Sequence, residues 1–262
     1  MEKIVFSTAI IGYLAASLGF FVYLAYRRPV VSTLANGAVG LALIAHTAFI
    51  GLRSMETGHG PYTSTFEVAL FLAWLIALVF LVTEWKYRIK DLGSFVIPLV
   101  FLILFFSGFL SQETALVEKS ESQLWLTLHR TLSVLGYAAF SIAFAAGIMY
   151  LIQEHQVKNK KLGMMYFRMP SLEVLDNMNF KVVTLGFPVF TVGFLTGVIW
   201  NAQIISSIFS WDIFKTWPLV ADWVVYGLVF FGRFFGGLRG KRAAQGAIVG
   251  FVAVILTYFL HV

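Results

Sequence analysis

Five histidines and seven tryptophans are the side chains of this 262-residue chain best suited to chemistry in apolar surroundings. Imidazole nitrogens ligate metals and carry protons, and indole rings offer broad flat surfaces with one N–H to place. Four of the tryptophans, Trp200, Trp211, Trp217 and Trp223, fall in a single stretch, WNAQIISSIFSWDIFKTWPLVADW, together with Asp212, Lys215 and Asp222. A linker that only joins two helices requires neither aromatic surface nor charge. With no cysteine in the chain, disulfides, thiolate metal sites and covalent attachment of a prosthetic group through thiols of this chain are excluded.

The elements that position these residues follow from composition. Hydrophobic residues make up 59% of the chain and charged residues 12%, with a mean hydropathy of +0.84. No soluble domain hides that much apolar surface in one core, so the fold class is an all-α, polytopic membrane protein. A formal net charge of +6 raises the question of nucleic acid, but the basic residues lie in short clusters between apolar runs. Such clusters orient a protein in a lipid bilayer, and no nucleic-acid partner is expected.

Eight apolar runs are predicted to span: Ile4 to Tyr26, Val31 to Leu52, Phe66 to Thr83, Ser94 to Leu110, Leu124 to Gln153, Val182 to Trp200, about Trp217 to Phe235, and Ala243 to Val262. The first lacks a basic leader and is too long for a signal-peptide core, so it is read as an uncleaved helix. Ser171 to Lys181 reads as a short amphipathic piece before the sixth span, and Pro188 is expected to kink that span. No internal repeat or soluble domain is evident. Residues 1–262 form a single integral membrane domain, with a Trp-rich outer loop at about 200–217.

Basic residues then fix the sides. Arg27 and Arg28 follow the first span, Lys86, Arg88 and Lys90 the third, Lys158, Lys160, Lys161 and Arg168 the fifth, and Arg239, Lys241 and Arg242 the seventh. The alternate loops carry far fewer. These basic loops are therefore cytoplasmic, and both termini are on the outer side. That topology collects His59, His129, His261 and the Trp-rich loop at the outer face, with His46 just beneath it, and leaves His155 alone inside. Imidazoles approaching from helix ends beside indole planes suit a haem, whose iron takes axial nitrogens and whose flat ring stacks. His46 is expected to be a packing residue. Glu67 and Asp222 are ionisable groups near hydrocarbon, to be paired by Arg53 or Arg130.

Three stretches together carry a family resemblance. Ser210-Trp211-Asp212 with Lys215, Thr216 and Trp217 resembles the tryptophan-rich "WWD" signature of the cytochrome c assembly family, the CcsA, CcmC and HemX-type haem-handling membrane proteins. His59-Gly60-Pro61 through Glu67 to Trp74 is similar to that family's Gly-x-x-Pro…Glu segment, and Leu128-His129 through Leu135-Gly136-Tyr137 to Tyr150 to its histidine-bearing helix. The likeness runs from about Ala45 to the C-terminus. It departs where Ile205, Ser206 and Phe209 replace further signature residues, where Phe231 stands in the register of a transmembrane histidine, and where His261 arrives early for the second outer histidine.

The resemblance implies non-covalent haem b held at the outer face, with His129 and His261 as ligands of the haem iron, or His59 in place of His261. Trp200, Trp211, Asp212 and Trp217 match the signature around it, and His59 and Glu67 complete the cofactor-binding set. It further implies delivery to apocytochrome c in cytochrome c maturation, in a bacterial inner (plasma) membrane, beside a CcsB/ResB-like membrane partner. On its own the chain is not expected to be an enzyme, being at most the membrane subunit of a holocytochrome c synthase. Two alternatives stand beside this: a HemX-like regulator of haem biosynthesis without haem export, and a b-type haem/quinone membrane anchor.

Overall fold

The computed structural model describes residues 2–111, 122–160, 163–204 and 213–260; at 122–123, 201–204, 213–218 and 257–260 it describes the backbone alone. All regular structure among the described residues is helical, in eight long helices. Six of these are long and apolar enough to cross a membrane, so the chain is a multi-pass helical membrane protein. The helices divide into two compact units, residues 1–117 with 168–170 and residues 118–167 with 171–262.

The first unit holds α1 (Glu2–Tyr26), α2 (Pro29–Thr57), α3 (Thr65–Tyr87) and α4 (Gly93–Ser107). Pro29 opens α2 directly after α1, since its fixed φ and missing N–H suit a first helical turn. α2 runs to Thr57, past the expected end at Leu52, and stops where Gly58 turns left-handed at φ 75°. Ser64 and Glu67 form a reciprocal capping box that starts α3. α1 packs against α2 and α4, and α3 against α2 and α4, around Tyr13, Phe20, Phe66, Leu70, Ile76, Phe80 and Ile97.

The second unit holds α5 (Ser122–Lys158), α6 (Leu172–Ile204), α7 (Ile213–Phe235) and α8 (Lys241–Leu260). α5 packs along α6 and α8, and α7 along α6 and α8, around Phe140, Phe190, Tyr226 and Phe251. The amphipathic piece and the sixth span expected as separate elements are one helix, α6. Its polar N-terminal residues do not mark a surface break, because Asp176 binds Arg233 of α7 and Asn179 donates to the Ala143 carbonyl of α5. With those groups satisfied inside the bundle, nothing stops the helix between Lys181 and Val182. α7 likewise begins at Ile213, before Trp217, so Trp200 and Trp217 are both helical.

Candidate functional site

Chemistry-bearing residues gather at the C-terminal end of α2 and N-terminal end of α3 in the first unit. In the second unit they gather at the N-terminal end of α5, the C-terminal end of α6 and the first turns of α7.

In the first unit the organising group is the Glu67 carboxylate, 1% exposed. Its Oε1 accepts from Arg53 Nε at 3.0 Å, and its Oε2 accepts from the Thr63 hydroxyl at 2.6 Å and the Thr63 amide at 3.0 Å. Those bonds offset the cost of burying a charge at a helix start. Arg53 lies over the Phe66 ring at 4.9 Å, so its guanidinium meets both a carboxylate and an aromatic face. His59 donates from Nδ1 to the Gly60 carbonyl at 2.9 Å, and its Nε2 lies 3.3 Å from the Thr63 hydroxyl. Nδ1 of His59 is thus bonded within the loop, and the ring sits 3.8 Å from Glu67. The cluster orders the loop between α2 and α3.

The second unit places His129 two turns into α5. Its Nδ1 lies 2.8 Å from the Gly193 carbonyl of α6, and because a carbonyl only accepts, Nδ1 carries the hydrogen. That fixes the tautomer: Nε2 keeps its lone pair and has no hydrogen bond to a described residue. Gly197 lies against the same ring, where a Cβ would stand 2.6 Å from His129 Cε1. Thr196 donates to the same Gly193 carbonyl at 2.8 Å.

Beside this end of α5, Trp223 of α7 donates Nε1–H to Thr191 Oγ1 at 3.1 Å and stacks on Phe194 with ring centroids 6.0 Å apart. Asp222 is fully buried, and Tyr137 of α5 donates to its Oδ2 at 3.4 Å. Trp200 is half-buried near the end of α6. Trp211, Asp212 and His261 lie outside the described residues, and of Trp217 only the backbone is described. Phe231 is exposed on α7 and belongs to an aromatic row with Phe187 and Phe230.

His46 is a packing residue, as expected. It is fully buried, edge-on to Tyr13, with the Tyr13 hydroxyl 3.4 Å from Nδ1. Gly193, Gly197 and the Tyr137 hydroxyl escape a reading of sequence alone. The spacing of the two glycines, one helical turn apart, is the signal that would single them out. Their partner His129 lies 64 residues from Gly193.

A sequence model of the family described as "Cytochrome C assembly protein" matches residues 62–261. Among curated proteins, the chain is similar to "Cytochrome c biogenesis protein CcsA" of Guillardia theta, at 28% identity over 85% of this chain and 80% of that one. Proteins of the same name match from Gloeobacter violaceus, at 26% identity over 96% and 90%, and from Synechocystis, at 24% over 98% and 93%.

Proposed function

The chain belongs to the cytochrome c assembly protein family, and from that membership we propose that it holds haem at the outer face of the membrane and presents it to apocytochrome c. It is a multi-pass membrane protein of cytochrome c biogenesis; haem, its binding residues and its route are the parts proposed here. The observation that carries the reading is the tethered imidazole of His129. Metal-ligating histidines characteristically donate the other ring N–H to a carbonyl or carboxylate, which orients the ring and raises the basicity of the donor nitrogen. His129 has that arrangement, with Nδ1–H on Gly193 and Nε2 without a described partner.

In this reading His129, through Nε2, and His261 would hold the haem iron, and Trp200, Trp211, Asp212 and Trp217 would line the site. Haem b, bound without a covalent link, supplies the vinyl carbons to which apocytochrome thiols add. The chain's own part is to orient, to shield one face from water with aromatic side chains, and to hold axial imidazole. His59 and Glu67, bonded to each other's loop, keep the α2–α3 connection ordered at the same proposed face. A CcsB/ResB-like membrane subunit supplies the apocytochrome-receiving domain, and the setting is a bacterial inner membrane.

The test is the pyridine haemochrome content of detergent-purified protein, compared with His129→Ala and His261→Ala, alongside haem-stained cytochrome c in cells that depend on this chain. Loss of b-type haem and of holocytochrome in the His129 variant is expected. Unchanged haem content in both variants overturns the site.

A further inference from the structure

His129 is seated as well as tethered. Along the antiparallel α5–α6 interface the facing pairs are His129 with Gly197, Ser133 with Gly193, Gly136 with Phe190, and Ala139 and Phe140 with Gly186. As residue numbers on α5 rise by four and then three, those on α6 fall by four and then three, the stepping of two closely packed helix faces. Ser133, 5% exposed, is buried in it, and its Oγ has no hydrogen-bond partner among the described residues. His129 and Gly197 form the layer of these four nearest the C-terminal end of α6.

At that layer the imidazole fills the space where α6 has no side chain. A Cβ on Gly197 would fall on Nδ1 itself, 2.6 Å from Cε1 and 3.0 Å from Cγ. One turn earlier, a Cβ on Gly193 would come within 2.7 Å of the Ser133 amide nitrogen and push the helices apart. The Gly193 carbonyl can therefore reach Nδ1 only while both positions lack a side chain. The hydrogen bond fixes which ring nitrogen carries the hydrogen; the bare Gly197 surface leaves room for the ring against α6 and so limits its rotation about Cβ–Cγ.

We propose that Gly193 and Gly197 are positioning residues for the haem-ligating His129: the Gly193 carbonyl sets the tautomer and the missing side chain of Gly197 sets the plane of the ring, so that Nε2 is presented in one orientation. This rests on the reading of His129 as an axial ligand. Gly193 also packs on the Ser133 backbone, but both glycines act on the site through the imidazole.

The experiment uses full-length protein in detergent and compares Gly197→Ala with Gly186→Ala, which adds the same methyl group at the far end of the same interface, against Ala139 and Phe140. Two readouts are taken: the ring-nitrogen chemical shifts of His129 in 15N-histidine-labelled protein without haem, and the visible spectrum and retention of added haemin, with and without free imidazole. Gly197→Ala is expected to lose the Nδ1–H signature and to retain haemin about tenfold or more weakly, in line with losses on removing a ligand's outer partner. Free imidazole restores its spectrum. Gly186→Ala is expected to lower thermal stability while keeping the His129 signature and the haemin spectrum. Equal effects of the two substitutions on both readouts overturn the proposal, because packing alone then explains them. Haemin retention unchanged in His129→Ala overturns the ligand reading instead, and the nitrogen shifts still decide whether Gly197 seats the ring.

Discussion

Arg53 Nε donates to Glu67 Oε1 at 3.0 Å, so a buried ion pair ties the last turns of α2 to the first turn of α3. Removing either group takes from the other its buried partner of opposite charge. Breaking one side of a buried pair costs about 3–5 kcal/mol, because the remaining charge is left in a poor solvent. Arg53→Ala and Glu67→Ala are each expected to lower thermal stability in detergent by that order. The double variant should be less destabilised than the two effects added together. Simple additivity in a double-mutant cycle would show that the two residues act independently.

That pair is one of the relationships the sequence allows to be anticipated. Two ionisable residues flank a short Gly- and Pro-containing loop, and a carboxylate at a helix start has few other ways to be satisfied. The eight helices are legible for the same kind of reason, since an apolar run of spanning length has one stable backbone solution in lipid. What a single sequence hides is the partner at long range. Asp176 lies in the early turns of what reads as a short amphipathic piece, yet its partner Arg233 lies 57 residues on, and that contact, with the one from Asn179, satisfies the polar start of an unbroken α6. Gly193 reads as a generic helix-packing glycine. Its carbonyl is the partner of His129, and nothing near Gly193 in the chain reveals it.

The Asp176–Arg233 contact predicts its own chemistry. Arg233 donates through both terminal nitrogens, at 2.8 and 2.7 Å, to the two carboxylate oxygens, and the Gly240 amide adds a third bond at 2.8 Å. The fork joins α6 to α7 and to the turn before α8. Lysine carries the same charge but cannot make the paired contact, so Arg233→Lys is expected to destabilise by about 1–3 kcal/mol. Chemical-denaturation midpoints measure it. A lysine variant as stable as the parent would show that charge alone, not the fork, holds these helices together.

The absence of cysteine makes the expected topology directly measurable. Glu56 and Lys158 are both exposed near the C-terminal ends of their helices, α2 and α5. Basic residues place the end of α5 on the cytoplasmic side and the end of α2 outside. A membrane-impermeant maleimide added to intact spheroplasts is therefore expected to label Glu56→Cys and to label Lys158→Cys only after lysis. The reverse pattern would invert the protein and move His129 away from the face where haem is proposed to be held.

His46 and His129 separate a packing histidine from a ligating one. Tyr13 and His46 are both fully buried, and the one described polar contact of their side chains is with each other at 3.4 Å. Removing one partner strands the other, at a cost of about 1–3 kcal/mol, whereas replacing both with apolar groups of similar shape is close to neutral. His46→Leu is thus expected to lower the melting temperature, and Tyr13→Phe with His46→Leu to recover most of the loss. Haemin retention stays at the parental level in both, because the ring is fully buried where α1 packs on α2 and its Nε2 is enclosed with it, out of reach of iron. Loss of haemin in His46→Leu that persists in the stable double variant would make His46 a ligand and remove the reason for assigning that role to His129.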